Sequence, residues 1–229
     1  MATRTVPAVK TDDDIKRDVT EQLYWDGRVD ASNIRVEVSG GTVRLDGAVP
    51  SYSARQAAYV SALSVPGVAS VENNLIVRYP EGAAKPADND IKSSIENIFK
   101  WSADVDPKDV AVSVSAGAVT LRGAVGSYWQ KIRAEELAAN VGGVLGVTDE
   151  LAVVPTEEVS DSSIGDYIMA ALDRIAEIDP NTLDVKVENG VVTLSGRVPD
   201  WGMYHTVRDI ARYTPGVVNV IDYLIVGYR

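Results

Sequence analysis

Two kinds of hydrophobic spacing alternate along the chain. Apolar residues first recur at every fourth position, at Ile15, Val19 and Leu23, within an otherwise polar segment, and this spacing predicts an amphipathic helix. Apolar and polar residues then alternate from Val36 to Leu45, which predicts two half-buried strands. A second helical segment and a third strand follow. The pattern therefore predicts the element order α-β-β-α-β.

This pattern occurs three times. The motif V-x-V-x-x-G-x-V-x-L-x-G runs through residues 36–47, 112–123 and 185–196, and G-V-x-x-V-x-x-x-L-x-V follows through residues 67–77, 143–153 and 216–226. A D-x-x-I pair opens each copy, at Asp12, Asp88 and Asp161, and the copies align without a gap. Ungapped matches of this length indicate an internal repeat.

The repeat predicts an α+β fold of three tandem α-β-β-α-β units, each with two helices on one face of a three-stranded sheet. We expect domains over residues 12–79, 87–155 and 160–229, joined by linkers at residues 80–86 and 155–158 that contain proline and charge. The short connection between the second and third strands leaves two strand orders open, with the third strand beside either the second or the first.

Short-range signals locate the turns and helix starts within each unit. The pairs Gly40-Gly41, Ala116-Gly117 and Asn189-Gly190 predict tight hairpins, and Ser51, Ser127 and Asp200 are predicted N-caps of the second helices. Acidic residues at the start of each first helix suit the positive end of the helix dipole. Nine glycines at hairpin turns, strand ends and second-helix ends are interpreted as structural: Gly41, Gly47, Gly67, Gly117, Gly123, Gly143, Gly190, Gly196 and Gly216.

Composition excludes several kinds of chemistry. The 229 residues include no cysteine and one histidine, so disulfide scaffolds, zinc–thiolate sites and cysteine nucleophiles are excluded. The net charge of −11 argues against binding nucleic acid through phosphate contacts. No apolar run approaches the ~20 residues that cross a bilayer. We expect no cofactor, no bound metal and no enzymatic activity.

The three recurring motifs resemble the BON domain, and the whole arrangement is similar to multi-BON stress proteins of the OsmY-like group. The resemblance rests on D-x-x-I, G-x-V-x-L-x-G and G-V-x-x-V-x-x-x-L-x-V, and it covers nearly the whole chain. It implies a non-enzymatic, stress-associated role in binding phospholipid surfaces or protein clients. The sequence differs from better-known members in having three units and no visible secretory signal. A cytoplasmic location is therefore expected, or a periplasmic one if a leader has been removed.

Aromatic residues are the main candidate contact residues. Trp25 and Trp101 occupy equivalent positions at the end of the first helix, and aromatic residues cluster at the start of the second helix. An aromatic surface suits a lipid interface or a client peptide, whereas large residues at these positions also suit a packing cap or a contact between units. The candidates for lipid or client contact are Trp25, Tyr52, Trp101, Tyr128, Trp129 and Trp201.

Two further features bear on function. His205 has no histidine at the equivalent positions, so we interpret it as an ordinary surface or boundary residue. The net negative charge increases along the chain. There are 9 basic and 10 acidic residues in 1–80, 7 basic and 11 acidic in 81–155, and 6 basic and 12 acidic in 156–229. The first unit is thus the least repelled by an anionic membrane.

A small-ligand or ion sensor that uses clefts between the units is the alternative function.

Overall fold

A computed structural model describes residues 10–79, 85–156, 158–176, 178 and 182–227. Residues 80–84 and 157 of the expected linkers, and the last two residues of the third expected domain, lie outside this description. The first repeat forms one compact unit, and the second and third repeats together form another.

Each repeat has the predicted element order, which confirms the α+β class. The elements are α1 (Asp12–Trp25), β1 (Ile34–Ser39), β2 (Thr42–Val49), α2 (Tyr52–Leu63) and β3 (Ser70–Val77); α3 (Asp88–Trp101), β4 (Val110–Ser115), β5 (Ala118–Val125), α4 (Tyr128–Ala139) and β6 (Gly146–Val153); and α5 (Asp161–Asp173), β7 (Leu183–Glu188), β8 (Val191–Val198), α6 (Trp201–Tyr213) and β9 (Asn219–Val226). The predicted N-caps Ser51, Ser127 and Asp200 all accept a hydrogen bond from a backbone N–H of the first turn.

The sheet topology resolves the strand order that the sequence left open. The middle strand of each sheet pairs antiparallel with the first and parallel with the third, so the third strand lies beside the second. Two-residue turns at 40–41, 116–117 and 189–190 join the antiparallel strands, as predicted. In the first sheet Val43 and Leu45 face the helices and are buried, whereas Arg44 faces away from them and is exposed. Both helices of each repeat therefore cover one face of the sheet.

The core of each repeat consists of the apolar stripe of the first helix and the inward face of the sheet. Ile15, Val19 and Leu23 of α1 are buried, and Leu45 at the centre of the sheet is inaccessible to solvent. The equivalent residues Ala62, Ala138 and Ala211 of the second helices are also fully buried. These small side chains let the second helix approach the sheet closely. Each repeat has a small core, and stability is modest in domains of this size.

One corner of each repeat joins all three sequence motifs. The carboxylate of Asp88 accepts the backbone N–H groups of Ala116 and Gly117, at 2.7 and 2.9 Å. The equivalent carboxylates of Asp12 and Asp161 accept both N–H groups of their own hairpin turns, at 2.8–3.0 Å. We call this contact the hairpin clamp. The first residue of the D-x-x-I motif thus has a tertiary role beyond its place at the helix dipole.

The glycine at the end of the second helix completes the same corner. A Cβ on Gly143 would lie 2.7 Å from Cδ1 of Ile91, the isoleucine of the D-x-x-I motif. A Cβ on the hairpin residue Gly117 would lie 2.9 Å from the carbonyl oxygen of Gly143. The N–H of Leu145 also donates to the carbonyl of Gly117, at 2.9 Å. Helix, hairpin and third strand therefore meet at distances that leave no room for side chains.

The third strand of each sheet is an edge strand, and side chains cover its central N–H group. In each repeat the outward N–H of a leucine donates a hydrogen bond to the side-chain oxygen of the Asn or Asp two residues earlier. These bonds are Leu75 N–H to Asn73 at 3.2 Å, Leu151 N–H to Asp149 at 2.8 Å and Leu224 N–H to Asp222 at 2.8 Å. A cation from the second helix reaches the same edge: Arg55 to the Asn73 carbonyl, Lys131 to the Leu151 carbonyl and Arg208 to the Asp222 carboxylate. These contacts oppose addition of a further strand at this edge.

We predict that Gly123→Ala destabilises the second repeat strongly. Gly123 has φ +136°, and a Cβ there would lie 1.9 Å from the carbonyl oxygen of Asp109. The expected loss in the free energy of unfolding is at least about 2 kcal/mol, because a side chain is strained in this conformation and also meets backbone.

The matched control is Gly142→Ala in the same repeat, where a Cβ would meet no atom within 4 Å. That change should leave stability within about 0.5 kcal/mol of the wild type. Urea unfolding of both variants measures the difference, and equal stabilities would contradict the steric account.

Candidate functional site

Among the residues that the structure describes, the most exposed large aromatic side chains lie at the ends of α1 and α3. Trp25 is 75% exposed and Trp101 is 85% exposed, and each is the last residue of its helix. Tyr24 is also exposed, and its ring meets that of Trp25 edge-on with centroids 5.3 Å apart. The equivalent residue of the third repeat is Arg174. We call Tyr24, Trp25 and Trp101 the helix-end aromatics.

The surroundings of Trp101 combine apolar and charged groups. Trp101 lines a shallow cleft with Ile98 and Leu137, next to Arg133 and Asp104. The Arg133 guanidinium lies 3.3 Å from the Asp104 carboxylate. The same guanidinium also lies 3.2 Å from the Glu136 carboxylate, so Trp101 is presented to solvent beside one cation and two carboxylates. Such a surface suits a partner with both apolar and polar groups.

Asp26 fixes the end of α1 beside Trp25. Its carboxylate accepts hydrogen bonds from the Arg28 guanidinium at 2.7 and 2.9 Å, from the Arg28 N–H at 3.0 Å and from the Ser61 hydroxyl of α2. The side chain of Asp26 is only 8% exposed. The hydrogen bonds from Arg28 have the largest effect and hold the pKa of Asp26 far below its ordinary value, and the bond from Ser61 lowers it further. Burial of the carboxylate acts in the opposite direction. The position of Trp25 is thus tied to the second helix.

The other candidate aromatics have a different setting. Tyr52, Tyr128, Trp129 and Trp201 are all partly buried near the starts of the second helices. Tyr52 accepts a hydrogen bond from Gln56 at 3.0 Å. Tyr128 of the second repeat packs against the core of the third repeat. Trp201 meets Tyr204 edge-on, with centroids 4.8 Å apart.

The structure therefore separates the six predicted contact residues into two groups. Trp25 and Trp101 are solvent-facing, which leaves them available for a partner. Tyr128 has a packing role between repeats, which was the alternative interpretation of these residues.

A contact between the second and third repeats was not predicted in this form. Helix α4 contacts α6, so the second helices of the two repeats meet. Burial raises the pKa of Glu135 on α4, with a further increase from Asp149, whereas Lys131 and Arg212 act in the opposite direction. The second and third repeats therefore pack on each other through these helices.

His205 lies on the same side of α6. Its ring is next to those of Trp201 and Tyr204, and its Nε2 atom is shielded from solvent. Burial lowers the pKa of His205, and Arg208 and Arg212 act in the same direction while Asp209 opposes them. The imidazole is thus a partly buried side chain that packs beside aromatic rings of its own helix.

Among residues 10–79, 85–156, 158–176, 178 and 182–227, no group of three or more His, Cys, Asp or Glu side chains is arranged to hold a metal ion. In the same part of the chain, no helix is both long enough and apolar enough to cross a membrane.

Comparison with known proteins identifies the repeats. The family model for the BON domain matches residues 11–79, 87–155 and 160–228. The chain belongs to the BON-domain family. Each BON domain is one α-β-β-α-β repeat, so the hairpin clamp recurs once in every domain.

Curated relatives and solved structures are also similar to this BON-domain protein. It is 34% identical over 143 residues to the osmotically-inducible protein Y of Escherichia coli (strain K12), which covers 61% of this chain and 71% of that protein. It is 32% identical over 120 residues to an uncharacterized protein encoded in the gshII 5′ region of Anaplasma centrale, covering 50% of this chain and 80% of that one. A solved structure of CdsD, a structural protein of the Chlamydia trachomatis type III secretion system, covers 93% of this chain and 92% of that one at 14% identity, with a TM-score of only 0.27.

We predict that Asp26→Asn destabilises the first BON domain at neutral pH. The expected loss is about 1–3 kcal/mol, because a charged acceptor of several hydrogen bonds is removed. The folded pKa lies below the unfolded value of ~3.9, so this stabilisation is complete above that value and is lost as the pH falls towards the folded pKa.

The difference in the free energy of unfolding between the wild type and Asp26→Asn should therefore become smaller as the pH falls from about 5 to about 2. Urea unfolding at several pH values measures this difference. Asp13→Asn, which changes an exposed carboxylate on α1, is the control. A difference that stays constant across this range would contradict the assignment.

Proposed function

We propose that this chain is a non-catalytic, stress-associated interaction protein whose first and second BON domains contact phospholipid surfaces through the helix-end aromatics. The observation that carries the proposal is the exposure of Trp25 and Trp101 at equivalent helix ends. The stress association is supported by 34% identity to a protein named as osmotically inducible.

The chemistry of these side chains supports a lipid interface. Tryptophan has an apolar body and one N–H donor, and it partitions to the boundary between headgroups and acyl chains. An exposed cation, Lys100, precedes Trp101 and can meet a phosphate. The first domain has nearly balanced charge, so it is the domain that an anionic surface repels least.

The arrangement favours surface contact over catalysis. Catalysis requires convergent groups with suitable pKa values, held in a cleft around a substrate. Trp25 and Trp101 instead lie on helix ends, and the ionisable groups beside them pair with one another: Asp26 with Arg28, and Asp104 with Arg133. A non-enzymatic role is accordingly part of the proposal.

The test is co-sedimentation with vesicles of phosphatidylethanolamine and phosphatidylglycerol. The Trp25→Ala/Trp101→Ala double variant should bind at least about tenfold more weakly, because two interfacial anchors are lost. Its melting temperature should be unchanged, since both side chains are outside the cores. Tyr167→Ala/Tyr213→Ala removes two other exposed aromatic side chains and is the control.

Two results would overturn lipid binding: a wild-type chain that does not sediment with vesicles, or a tryptophan variant that binds as the wild type does. An aggregation-suppression assay, run in parallel with vesicle co-sedimentation, tests a protein client as the alternative partner. In that case the tryptophan variant loses suppression while no form of the chain binds vesicles.

A further inference from the structure

The hairpin turns of the three BON domains differ in chemical reactivity. They are Gly40-Gly41 in the first domain, Ala116-Gly117 in the second and Asn189-Gly190 in the third. Asn189 is the only asparagine of the 229 residues that is followed by a glycine. In an Asn-Gly pair no side chain shields the glycine nitrogen, so this nitrogen can reach the amide carbon of the asparagine side chain. The third domain therefore contains a pair that can deamidate in water.

Deamidation of this pair needs no reactant other than water. The backbone nitrogen of Gly190 loses its proton and forms a bond to Cγ of Asn189, and the side-chain nitrogen takes up a proton and leaves as ammonia. The resulting succinimide ring is then opened by one water molecule. Hydrolysis at one ring carbonyl gives aspartate, and hydrolysis at the other gives isoaspartate, in which the main chain runs through Cγ.

Water has access to this turn. The side chain of Asn189 is exposed. Together with Gly190 and Asp161, Asn189 lines a cleft at the surface of the third domain. Both the amide carbon that is attacked and the water that opens the ring are therefore available at this turn.

The hairpin clamp holds the nitrogen that must attack. The Gly190 N–H donates to Oδ1 of Asp161 at 2.8 Å, and the Asn189 N–H donates to Oδ2 of the same carboxylate at 2.8 Å. A carboxylate at this distance opposes loss of the amide proton, because a second negative charge would form beside it. The nitrogen attacks only after it has lost that proton, so the hydrogen bond to Asp161 must break first.

The backbone around Gly190 is fixed on its other side as well. The N–H of Val218 donates to the carbonyl of Gly190 at 2.9 Å. Asn189 and Gly190 have φ angles of +51° and +72°, the left-handed conformation that this type of two-residue hairpin requires. The folded turn is therefore protected from deamidation as long as the clamp is closed.

We propose that Asn189 is a site of spontaneous deamidation and that Asp161 controls its rate through the hairpin clamp. The reaction occurs in molecules whose clamp has opened locally, as exchange of protected backbone amides does. Both products place a carboxylate next to that of Asp161, and isoaspartate also lengthens the main chain of the turn. Among the three domains, only the third has this pair in its clamp, so the change weakens that corner alone.

Incubation of the full chain at mildly alkaline pH tests the proposal. Trypsin cuts after Lys186 and Arg197 and releases residues 187–197 as one peptide. Liquid chromatography with mass spectrometry separates the asparagine, aspartate and isoaspartate forms of this peptide at successive times. Asp161→Ala should convert Asn189 at least about tenfold faster than the wild type does, because the clamp no longer limits the reaction.

A second variant of the same residue covers the case in which Asp161→Ala unfolds the third domain. Asp161→Asn keeps the size of the side chain and one acceptor oxygen but removes the negative charge. It should convert Asn189 at a rate between those of the wild type and Asp161→Ala.

Two control variants separate the clamp from a general loss of stability. Ile168→Val removes a methyl group from a fully buried residue of α5, which destabilises the third domain at a place away from the clamp. Asp12→Ala removes the clamp of the first domain, which is the other compact unit. Both controls should convert Asn189 within about twofold of the wild-type rate.

Three results would overturn the proposal. The first is an Asn189 that stays intact in every variant. The second is conversion at the wild-type rate in both Asp161 variants. The third is an Ile168→Val or Asp12→Ala chain that converts Asn189 as fast as Asp161→Ala does.

Discussion

The hairpin clamp is the interaction on which each BON domain depends. Two adjacent N–H groups of a tight turn point in one direction, and the carboxylate of Asp12, Asp88 or Asp161 accepts both. The same residue begins the first helix, where a negative charge is favourable. One side chain therefore fixes the first helix against the sheet. Glycine contacts at the same corner then bring the third strand to the hairpin.

This corner explains why the motif has its spacing and why the rest of the domain can vary. The aspartate, the hairpin glycine and the glycine after the second helix are far apart in sequence but in contact in the fold. Their separations are identical in all three domains. Positions outside the corner differ in chemistry, as at the ends of the first helices, where Trp25 and Trp101 correspond to Arg174. The proposed function uses these variable positions, while the corner maintains the scaffold.

Local features of the fold could be predicted from the sequence. The Asn189-Gly190 turn and the Ser51 N-cap depend on residues within a few positions of each other, so composition and spacing determine them. The position of the third strand in the sheet could not be predicted, because a third strand beside the second and a third strand beside the first satisfy the same hydrophobic pattern. The role of Asp12 was assigned only to the helix dipole. Its constant distance of 28 residues from the hairpin was a signal of a tertiary contact.

Predictions about the site were less complete for a physical reason. Aromatic residues serve equally well as packing caps and as contact surfaces, and only the fold decides which neighbours cover them. Tyr128 packs on the third domain while Trp101 stays exposed, although both were candidates for the same contact surface. The contact between α4 and α6 depends on how two domains meet, which no periodicity within one domain encodes.

The most direct test of the clamp compares two aspartates in the first turn of α3 by amide hydrogen exchange. Asp88→Ala removes the clamp, whereas Asp90→Ala removes an exposed carboxylate from the same helix end and leaves the hairpin untouched. Asp88→Ala should accelerate exchange at the amides of Ala116 and Gly117 at least about tenfold, since each loses its acceptor, whereas Asp90→Ala should not. Equal exchange at these two amides in both variants would contradict the central role of the clamp.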